Sequence, residues 1–352
     1  LPIRADLRGK SPYGAPQKAV RVALNVNENT HAIPEAVATD IVEALAAAIV
    51  KVNRYPDREF SDLRESLASY VGHGLSRDNM WAANGSNEVL QQLLQAFGGP
   101  GRSVLGFPPT YSMYPILAAG TGTQWVEGQR DENFEITPET AVRWVEHYDP
   151  DLVFLCSPNN PTGTPLSLET IAAVYDQARG MVIVDEAYAE FSPPGAPSAL
   201  SLLDGRERLV VSRTMSKAFA FAGARLGYFA ADPAVADAVR LVRLPYHLSA
   251  LTQAAANAAL AHSSEMLAMV DDIRTQRDRL LHELPRLGYT VWPSWSNFVL
   301  FGGVSEPHSV FSALLEQDVL IRDIGIPNHL RVTAGTEAET TEFLQALARI
   351  ER

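Results

Sequence analysis

The sequence predicts an α/β protein whose mainly parallel sheet is covered by helices on both faces. Three short runs are continuously apolar rather than alternating: Leu152–Cys156, Met181–Val184 and Leu209–Val211. Such runs are typical of strands buried on both faces, which occur chiefly in parallel sheets. Segments with helical spacing separate the runs, as the connections between parallel strands require. A polar cluster follows each run, and ligands of such sheets bind beyond the carboxyl ends of the strands.

The amino-terminal region is predicted to lead into this sheet through an arm and two helices. Residues 1–25 contain three prolines and little periodicity, so they predict an extended arm, which ends in a short strand and a polar loop over residues 22–29. Helices are predicted at Ile33–Val52 and Ser61–Val71. Between them Pro56 disfavours helix at the preceding residue, which places Tyr55 on a loop.

From Met80 the chain alternates between predicted strands and helices. The predicted strands are Met80–Ala83, Ser103–Gly106, Thr123–Val126, Leu152–Cys156, Met181–Val184, Leu209–Val211 and Leu226–Ala230. Helices are predicted from the polar turn at 84–88 through Phe97, after Ser112, and over Leu168–Ala178.

The pattern changes after Leu244-Pro245, where a smaller α+β domain is predicted. Its predicted helices are Thr252–His262, Glu265–Leu287, Pro307–Gln317 and Thr336–Ile350, and its predicted strands are Thr290–Trp292, Asn297–Phe301 and Leu330–Thr333. The predicted division is therefore an arm at residues 1–28, a large domain at 29–244 and a small domain at 245–352.

Composition narrows the classes of partner. The 352 residues carry 29 Lys and Arg against 41 Asp and Glu, a formal net charge of −12, and the basic residues form no long block. This distribution argues against a nucleic-acid or anionic-membrane surface, while local arginines can still bind an anionic substrate. The single cysteine, Cys156, predicts a small core residue in a protein of the reducing cytoplasm. We predict no metal site.

The segment from Ser212 to Gly227 carries the main candidate for chemistry. Lys217 stands among small and apolar residues, where a poorly hydrated amine can have a lowered pKa and act as a nucleophile. The hydroxyls of Thr214 and Ser216 and the guanidinium of Arg225 are anion ligands. A Schiff-base lysine beside a phosphate site is what pyridoxal phosphate requires. An ordinary surface lysine beside a loop remains an alternative at this point.

Other polar residues at predicted strand ends extend this site. Asp185 ends an apolar strand, where a carboxylate needs a cationic or proton-bearing partner, such as a pyridine nitrogen, although a helix cap or structural ion pair would also serve. The helix opening at Gly85, Ser86 and Asn87 offers backbone amides to a phosphate, although most such openings are plain caps. Tyr111 could stack on the cofactor ring, and Asn160 and Tyr188 could contact its phenolic oxygen; each could instead be a packing or turn residue.

Several motifs, in order along the chain, resemble those of the fold type I aminotransferases. They are Ser-Pro-Asn-Asn-Pro-Thr-Gly at 157–163, Val-Asp-Glu-Ala-Tyr at 184–188, Ser-Lys-Ala-Phe at 216–219 and Ala-Gly-Ala-Arg-Leu-Gly at 222–227. Together with Asn-Glu-Asn at 27–29, Arg-Tyr-Pro-Asp at 54–57 and Pro-Thr-Tyr-Ser-Met-Tyr at 109–114, they resemble the histidinol-phosphate aminotransferase family. The resemblance runs from about Asn25 to Thr336. It implies a seven-stranded sheet in the large domain, pyridoxal 5′-phosphate as cofactor and a role in L-histidine biosynthesis.

The resemblance also implies roles for individual residues. Lys217 would hold the cofactor and move a proton during the reaction, while Asp185 would pair with the ring nitrogen. Phosphate contacts would come from Gly85, Ser86, Asn87, Thr214, Ser216 and Arg225, and ring contacts from Tyr111, Asn160 and Tyr188. Tyr55 would reach the phosphate from a second subunit, which implies a homodimer with shared sites.

Substrate contacts are implied at Tyr13, Asn27, Arg322 and Arg331. Two arginines suit a pair of substrates in which one carries a phosphate and the other two carboxylates, because planar guanidinium groups bind both kinds of oxyanion. The motif after Asn27 departs from the family pattern, which leaves the role of His31 open, and His247 could contact an imidazole or simply pack. An aromatic amino-acid aminotransferase and a decarboxylase of phosphorylated amino acids remain alternative functions.

Overall fold

The computed structural model describes residues 1–4, 7–9 and 14–350. The α-helices within these ranges are α1 (Glu35–Ile49), α2 (Ser61–Val71), α3 (Ser86–Phe97), α4 (Met113–Thr121), α5 (Pro138–Tyr148), α6 (Leu168–Gln177), α7 (Pro233–Arg240), α8 (Ala250–Ala261), α9 (Ser263–Arg286), α10 (Pro307–Glu316) and α11 (Glu337–Ala348). The strands are β1 (Val22–Ala23), β2 (Met80–Ala83), β3 (Ser103–Gly106), β4 (Gln124–Glu127), β5 (Leu152–Cys156), β6 (Met181–Asp185), β7 (Leu209–Thr214), β8 (Gly227–Ala231), β9 (Thr290–Val291), β10 (Phe298–Gly302), β11 (Val319–Leu320) and β12 (His329–Thr333).

The predicted large sheet is confirmed. Within the described ranges it has seven strands in the order β2-β8-β7-β6-β5-β3-β4, and β8 runs antiparallel to both of its neighbours while the other pairings are parallel. Every residue of β5 and β6 is buried, as their continuous apolar runs require. Helix α3 packs on β2, β7 and β8, and α6 packs on β6. The register places Cys156 beside Asp185 and Asp185 beside Ser212, which brings the carboxyl ends of three strands together.

The carboxy-terminal part contains the three predicted short strands and one additional pairing. Strands β9, β10 and β12 form an antiparallel sheet. Strand β1 pairs in parallel with β11, where Val22 lies opposite Val319. The amino-terminal segment therefore joins the carboxy-terminal region through backbone hydrogen bonds and continues from there toward the large sheet.

The predicted division into arm, large domain and small domain stays a prediction. Helix α8 lies just beyond the predicted boundary at Leu244-Pro245 and packs on α1 and α2. The long helix α9 then packs on β9 and β10. Helix α9 also packs on Ala189–Phe191 of the predicted large domain, so both helices after the predicted boundary contact that domain.

Two helices, α5 and α7, are absent from the sequence-based prediction. Each begins with a side-chain cap followed by proline: Thr137 accepts a hydrogen bond from the backbone of Thr140 before Pro138, and Asp232 accepts one from Ala234 before Pro233. A cap followed by proline is a recognised helix start, so the signal was present in the sequence. No helix in the described part of the chain combines the length and the apolar character needed to cross a bilayer.

Candidate active site

The polar clusters at the strand ends meet in a cavity of about 400 Å³ beyond the carboxyl ends of β5, β6 and β7. This position is the one predicted for a ligand of a parallel sheet. The predicted site residues that line the cavity are Asn27, Ser86, Asn87, Tyr111, Asn160, Asp185, Tyr188, Thr214, Ser216, Lys217, Arg225, Arg322 and Arg331.

Lys217 lies in the turn after β7, and its side chain projects into the cavity. Its Nζ donates a hydrogen bond to the carbonyl of Val26 at 3.1 Å. Burial lowers the pKa of Lys217 to about 8, with the positive charges of Arg331 and Arg225 acting in the same direction and Glu28 opposing them. A large share of the amine is therefore neutral slightly above neutral pH, as a nucleophilic lysine requires.

A set of anion ligands lies between the start of α3 and the segment on both sides of Lys217, from Thr214 to Arg225. Gly85 precedes α3 with a φ of +88°, a backbone conformation that favours glycine, and a Cβ there would displace the guanidinium of Arg225. Arg225 donates to Ser216 Oγ at 3.4 Å, and Thr214 Oγ1 donates to the same oxygen at 3.0 Å. The first amides of α3, two hydroxyls and a guanidinium converge here, which fits a phosphate group.

The carboxylate of Asp185 lies at the floor of the cavity and is 4% exposed. Tyr114 donates to its Oδ2 at 2.8 Å, and Ser212 donates to its Oδ1 at 3.2 Å. Burial raises the pKa of Asp185, and the hydrogen bonds from these two donors act in the opposite direction. A protonated ring nitrogen would supply the cationic partner that this buried carboxylate lacks in the described structure.

Tyr188 also lines the cavity, where two side-chain amides surround its hydroxyl. Its hydroxyl accepts hydrogen bonds from the side-chain amides of Asn27 at 2.9 Å and Asn160 at 3.4 Å. Burial raises the pKa of Tyr188, so the hydroxyl keeps its proton and can donate it to an acceptor in the cavity. Tyr111 donates to Asn87 Oδ1 at 3.2 Å on the opposite wall.

Arg322 and Arg331 are brought side by side by backbone pairing. Each donates its backbone N–H to the carbonyl of the other at 3.0 Å, and this antiparallel bridge directs both side chains to the same face. The guanidinium of Arg331 is 7% exposed and donates to Asn160 Oδ1 at 2.6 Å and to the carbonyl of Asn25 at 2.8 Å. Two guanidinium groups therefore face one end of the cavity.

Two predicted site residues within the described ranges, Gly85 and Tyr55, do not line the cavity. Gly85 lies behind Arg225, as described above. Tyr55 is 80% exposed and stacks on Tyr246 with ring centroids 4.4 Å apart, away from the cavity. Tyr13 lies outside the described residues.

The two histidines with open roles do not line the cavity either. His247 stacks on Trp81 with ring centroids 5.7 Å apart and contacts the carbonyl of Ala82 at 2.9 Å, which matches its packing alternative. The backbone of His31 donates to Asn29 Oδ1 at 3.0 Å. Cys156 is buried as expected, but it also lines the cavity, and burial raises the pKa of its thiol to about 12.

Sequence reasoning missed two residues that contact Asp185. Tyr114 lies in the first turn of α4, three residues after Tyr111, which precedes the helix, and the two rings contact each other edge to face. Ser212 lies two residues before Thr214 on β7, so both side chains point to the same side of the sheet. Both spacings were available in the sequence, but the distance along the chain to Asp185 concealed the contacts.

The donor set of the cavity fits pyridoxal phosphate, which has an aldehyde, a basic ring nitrogen and a phosphate. A neutral amine, a buried carboxylate and an anion site are the three groups that recognise these features, and here all three line the same cavity. The fit rests on this chain's own residues and the geometry given above.

Comparisons with known proteins agree with the geometry. Residues 20–347 match the family model described as aminotransferase class I and II. The chain is 63% identical to the histidinol-phosphate aminotransferase of Paenarthrobacter aurescens strain TC1, over 99% of this chain and 94% of that protein. It is 55% identical to the protein of the same name from Thermobifida fusca strain YX, over 99% of this chain and 95% of that protein.

Solved structures show the same fold. The histidinol-phosphate aminotransferase of Sinorhizobium meliloti, crystallised with pyridoxal-5′-phosphate, superposes with a TM-score of 0.84 at 26% identity, over 94% of this chain and 90% of that one. A double mutant of Thermus thermophilus aspartate aminotransferase superposes with a TM-score of 0.80 at 26% identity, over 94% and 91% of the two chains. The chain therefore belongs to the class I and II aminotransferase family.

Proposed function

We propose that this chain is a pyridoxal-phosphate-dependent histidinol-phosphate aminotransferase, which transfers an amino group between L-histidinol phosphate and 2-oxoglutarate in L-histidine biosynthesis. The observation that carries the proposal is the pairing of Arg322 with Arg331 at one end of the cavity that contains Lys217. The names of the relatives that are 63% and 55% identical support it.

The two arginines suit both substrates of this reaction. Histidinol phosphate carries a phosphate and no α-carboxylate, whereas glutamate carries two carboxylates. A guanidinium binds phosphate and carboxylate oxygens in the same bidentate geometry, so one pair of arginines can serve both half-reactions. Arg331, which is buried and fixed by Asn160 and Asn25, would grip the anion that each substrate presents, and Arg322 would add a second contact.

The cofactor would be held at both ends by groups of this chain. Lys217 would bind its aldehyde, and the phosphate would lie against the start of α3 with Thr214, Ser216 and Arg225 as further donors. When bound, pyridoxal phosphate supplies an electron sink that stabilises negative charge on the substrate carbon next to the amine. The ionised carboxylate of Asp185 would hold the proton of the ring nitrogen, and Tyr188 would donate to the phenolic oxygen.

Lys217 would also carry the proton that the reaction moves. Its pKa of about 8 leaves the amine able to take a proton from the substrate's α carbon and to release it again near neutral pH. Tyr111 would cover one face of the ring and keep water from that side. Asn27, through its hydrogen bond to Tyr188, would hold the hydroxyl in place at the substrate end.

We also infer a homodimer with shared active sites, which remains to be tested. The support is a surface hollow that Tyr55 lines together with the exposed side chains of Val52, at 51% exposure, and Tyr246, at 39%. Apolar side chains of this size gathered on one surface favour a protein partner. In such a dimer Tyr55 would reach the phosphate site of the partner subunit, which would explain why it lies away from the cavity of its own chain. A cytoplasmic location stays a prediction.

A half-reaction experiment tests the proposed substrate. The holoenzyme is mixed with histidinol phosphate or with phenylalanine, and the loss of the cofactor's visible absorption band is followed under single-turnover conditions. We expect a higher rate constant per molar donor with histidinol phosphate. A preference for phenylalanine would identify an aromatic amino-acid aminotransferase, and release of carbon dioxide from a phosphorylated amino acid would identify a decarboxylase.

A further inference from the structure

Tyr114 makes the shorter of the two side-chain hydrogen bonds to the carboxylate of Asp185. Its hydroxyl lies 2.8 Å from Oδ2, while Ser212 Oγ lies 3.2 Å from Oδ1. The two donors therefore contact different oxygens, and the two contacts together fix the plane of the carboxylate. Tyr114 is fully buried, so water does not compete for this bond.

Aromatic packing leaves the Tyr114 ring little freedom. Tyr111 contacts it edge to face with centroids 5.4 Å apart, Phe154 packs at 5.1 Å, and Trp125 lies at 6.4 Å. A ring enclosed on several sides directs its hydroxyl to one place. The hydroxyl is thus aimed at Asp185 by the packing of α4 and its neighbours.

In its hydrogen bond with Asp185, the Tyr114 hydroxyl is the donor and the carboxylate is the acceptor. Burial raises the pKa of Tyr114 far above its usual range, and the nearby carboxylate of Asp185 and thiol of Cys156 add to this effect. A tyrosine that keeps its proton stabilises the ionised form of an adjacent carboxylate. Because burial of Asp185 favours the protonated acid, the donor from Tyr114 opposes the largest force acting against ionisation.

We propose that Tyr114 is a positioning residue that keeps the Asp185 carboxylate ionised and aimed at the ring nitrogen of pyridoxal phosphate. The inference rests on the proposed role of Asp185. It assigns two functions to one segment, since Tyr111 faces the ring and Tyr114, three residues later, holds the partner of its nitrogen. The segment at the start of α4 then positions both Tyr111, which stacks on the ring, and the carboxylate of Asp185.

The test compares two ligands of the apoenzyme that differ only at the ring nitrogen. Dissociation constants are measured for pyridoxal phosphate and for its analogue with carbon in place of that nitrogen. The parent protein is expected to prefer pyridoxal phosphate. Tyr114→Phe, which retains the packed ring, is expected to lower this preference by roughly tenfold or more, as for loss of a hydrogen bond to a charged group, without changing affinity for the analogue.

A matched control is provided by Tyr70, a half-buried tyrosine whose hydroxyl donates to Glu190 at 3.2 Å outside the cavity. Tyr70→Phe removes the same kind of bond and is expected to leave the preference unchanged. Equal loss of affinity for both ligands in Tyr114→Phe, or no loss for either, would overturn the positioning role. If the parent itself shows no preference, or if Asp185→Asn retains it, the proposed role of Asp185 fails instead.

A second measurement requires no change at Tyr114. The infrared difference spectrum between the parent apoenzyme and Asp185→Asn isolates the absorption of this carboxyl group. With Tyr114 in place, we expect the bands of an ionised carboxylate at pH 7. The band of a protonated acid at that pH would show that the tyrosine does not hold the group ionised, and would overturn the proposal.

Discussion

The cofactor side and the substrate side of the cavity are built in different ways. On the cofactor side, Asp185 and Thr214 are at most 4% exposed and lie at the ends of adjacent strands of one sheet. On the substrate side, Arg322 is half-buried and follows a two-residue strand. Within this chain the cofactor side is defined by strand register, whereas the substrate side depends on loops and on pairing between distant segments.

This difference predicts two kinds of mutational effect. Changes on the cofactor side should impair the reaction with every donor, because the electron sink serves all of them. Changes on the substrate side should alter the ratio of activities between donors.

Removal of the lysine amine should have the largest effect. Lys217→Ala is expected to abolish turnover while retaining some affinity for pyridoxal phosphate, because the anion ligands and Asp185 remain. Steady-state assays with histidinol phosphate, together with cofactor binding, check both parts. Borohydride reduction of the parent holoenzyme should label Lys217, and turnover near the parent rate in the variant, or label on another lysine, would contradict the assignment.

Neutralising the buried carboxylate should be the next largest effect. Asp185→Asn is expected to fold, since the amide fills the same volume, and to lose activity by orders of magnitude with both histidinol phosphate and phenylalanine. The reason is that an amide cannot stabilise a protonated ring nitrogen as a carboxylate does. Values of kcat for the two donors, compared with the parent, measure the loss, and a mild effect would assign Asp185 a structural role.

The same contrast explains which parts of the molecule the sequence predicts. Strands β2, β3 and β5 have the predicted bounds. Ser86, Asp185 and Lys217 line the predicted cavity, because each of these residues lies at the end of an apolar strand or within three residues of it. Local chemistry is sufficient in such places, since parallel strands bring their carboxyl ends to one edge.

Features that depend on contacts between distant segments were not predicted. Tyr114 has the sequence context of an ordinary apolar helix residue, and its partner lies 71 residues away. Strand β11 is two residues long and exists through its pairing with β1. The Val26 carbonyl, which accepts from Lys217 Nζ across 191 residues, has no signature in sequence at all.

On the substrate side, loss of one arginine should separate the donors. Arg322→Ala is expected to lower kcat/KM for histidinol phosphate by about one to two powers of ten, from roughly 1.5–3 kcal/mol of charged hydrogen bonding. Phenylalanine, whose single carboxylate would engage Arg331, should be nearly unaffected. Equal losses for both donors would show that Arg322 has a structural role and does not bind the phosphate of the donor.

The exposed tyrosine should affect retention of the cofactor. Tyr55→Phe is expected to weaken binding of pyridoxal phosphate by roughly 1–3 kcal/mol, the cost of one hydrogen bond to a charged acceptor. Equilibrium dialysis of the apoenzyme measures the change. Tyr246→Phe is the control, because Tyr246 stacks on the ring of Tyr55 but has no predicted contact with the cofactor's phosphate.

Mixed dimers test whether Tyr55 acts on the partner subunit. Subunits carrying Tyr55→Phe and Lys217→Ala are exchanged, and heterodimers are isolated by two affinity tags. A shared site would leave one of the two sites in each heterodimer fully wild-type, so activity should rise above that of the Lys217→Ala homodimer, and cofactor retention at that site should match the parent. Heterodimers that retain cofactor only as weakly as Tyr55→Phe would place Tyr55 in its own subunit's site.

The smallest expected effect is a shift in the pKa of Lys217, on the cofactor side, when the positive charge of Arg331, on the substrate side, is removed. The pKa of Lys217 is lowered to about 8, first by burial and next by the positive charge of Arg331. The neutral amine binds the cofactor's aldehyde, so the rate at which apoenzyme binds pyridoxal phosphate should rise with pH through a midpoint near 8. Arg331→Gln removes a charge that opposes protonation, so this midpoint should move to higher pH.

Arg322→Gln is the matched control for that shift. Arg322 also lines the cavity but is not among the charges that lower the pKa of Lys217, so its removal should leave the midpoint in place. Stopped-flow absorbance between pH 6 and 10 measures the profile of each apoenzyme. Equal shifts in both variants would mean that net charge in the cavity, rather than Arg331 itself, sets the pKa of the amine. A midpoint unmoved by Arg331→Gln would leave burial as its cause, and the substrate side would then tune only which donor is bound.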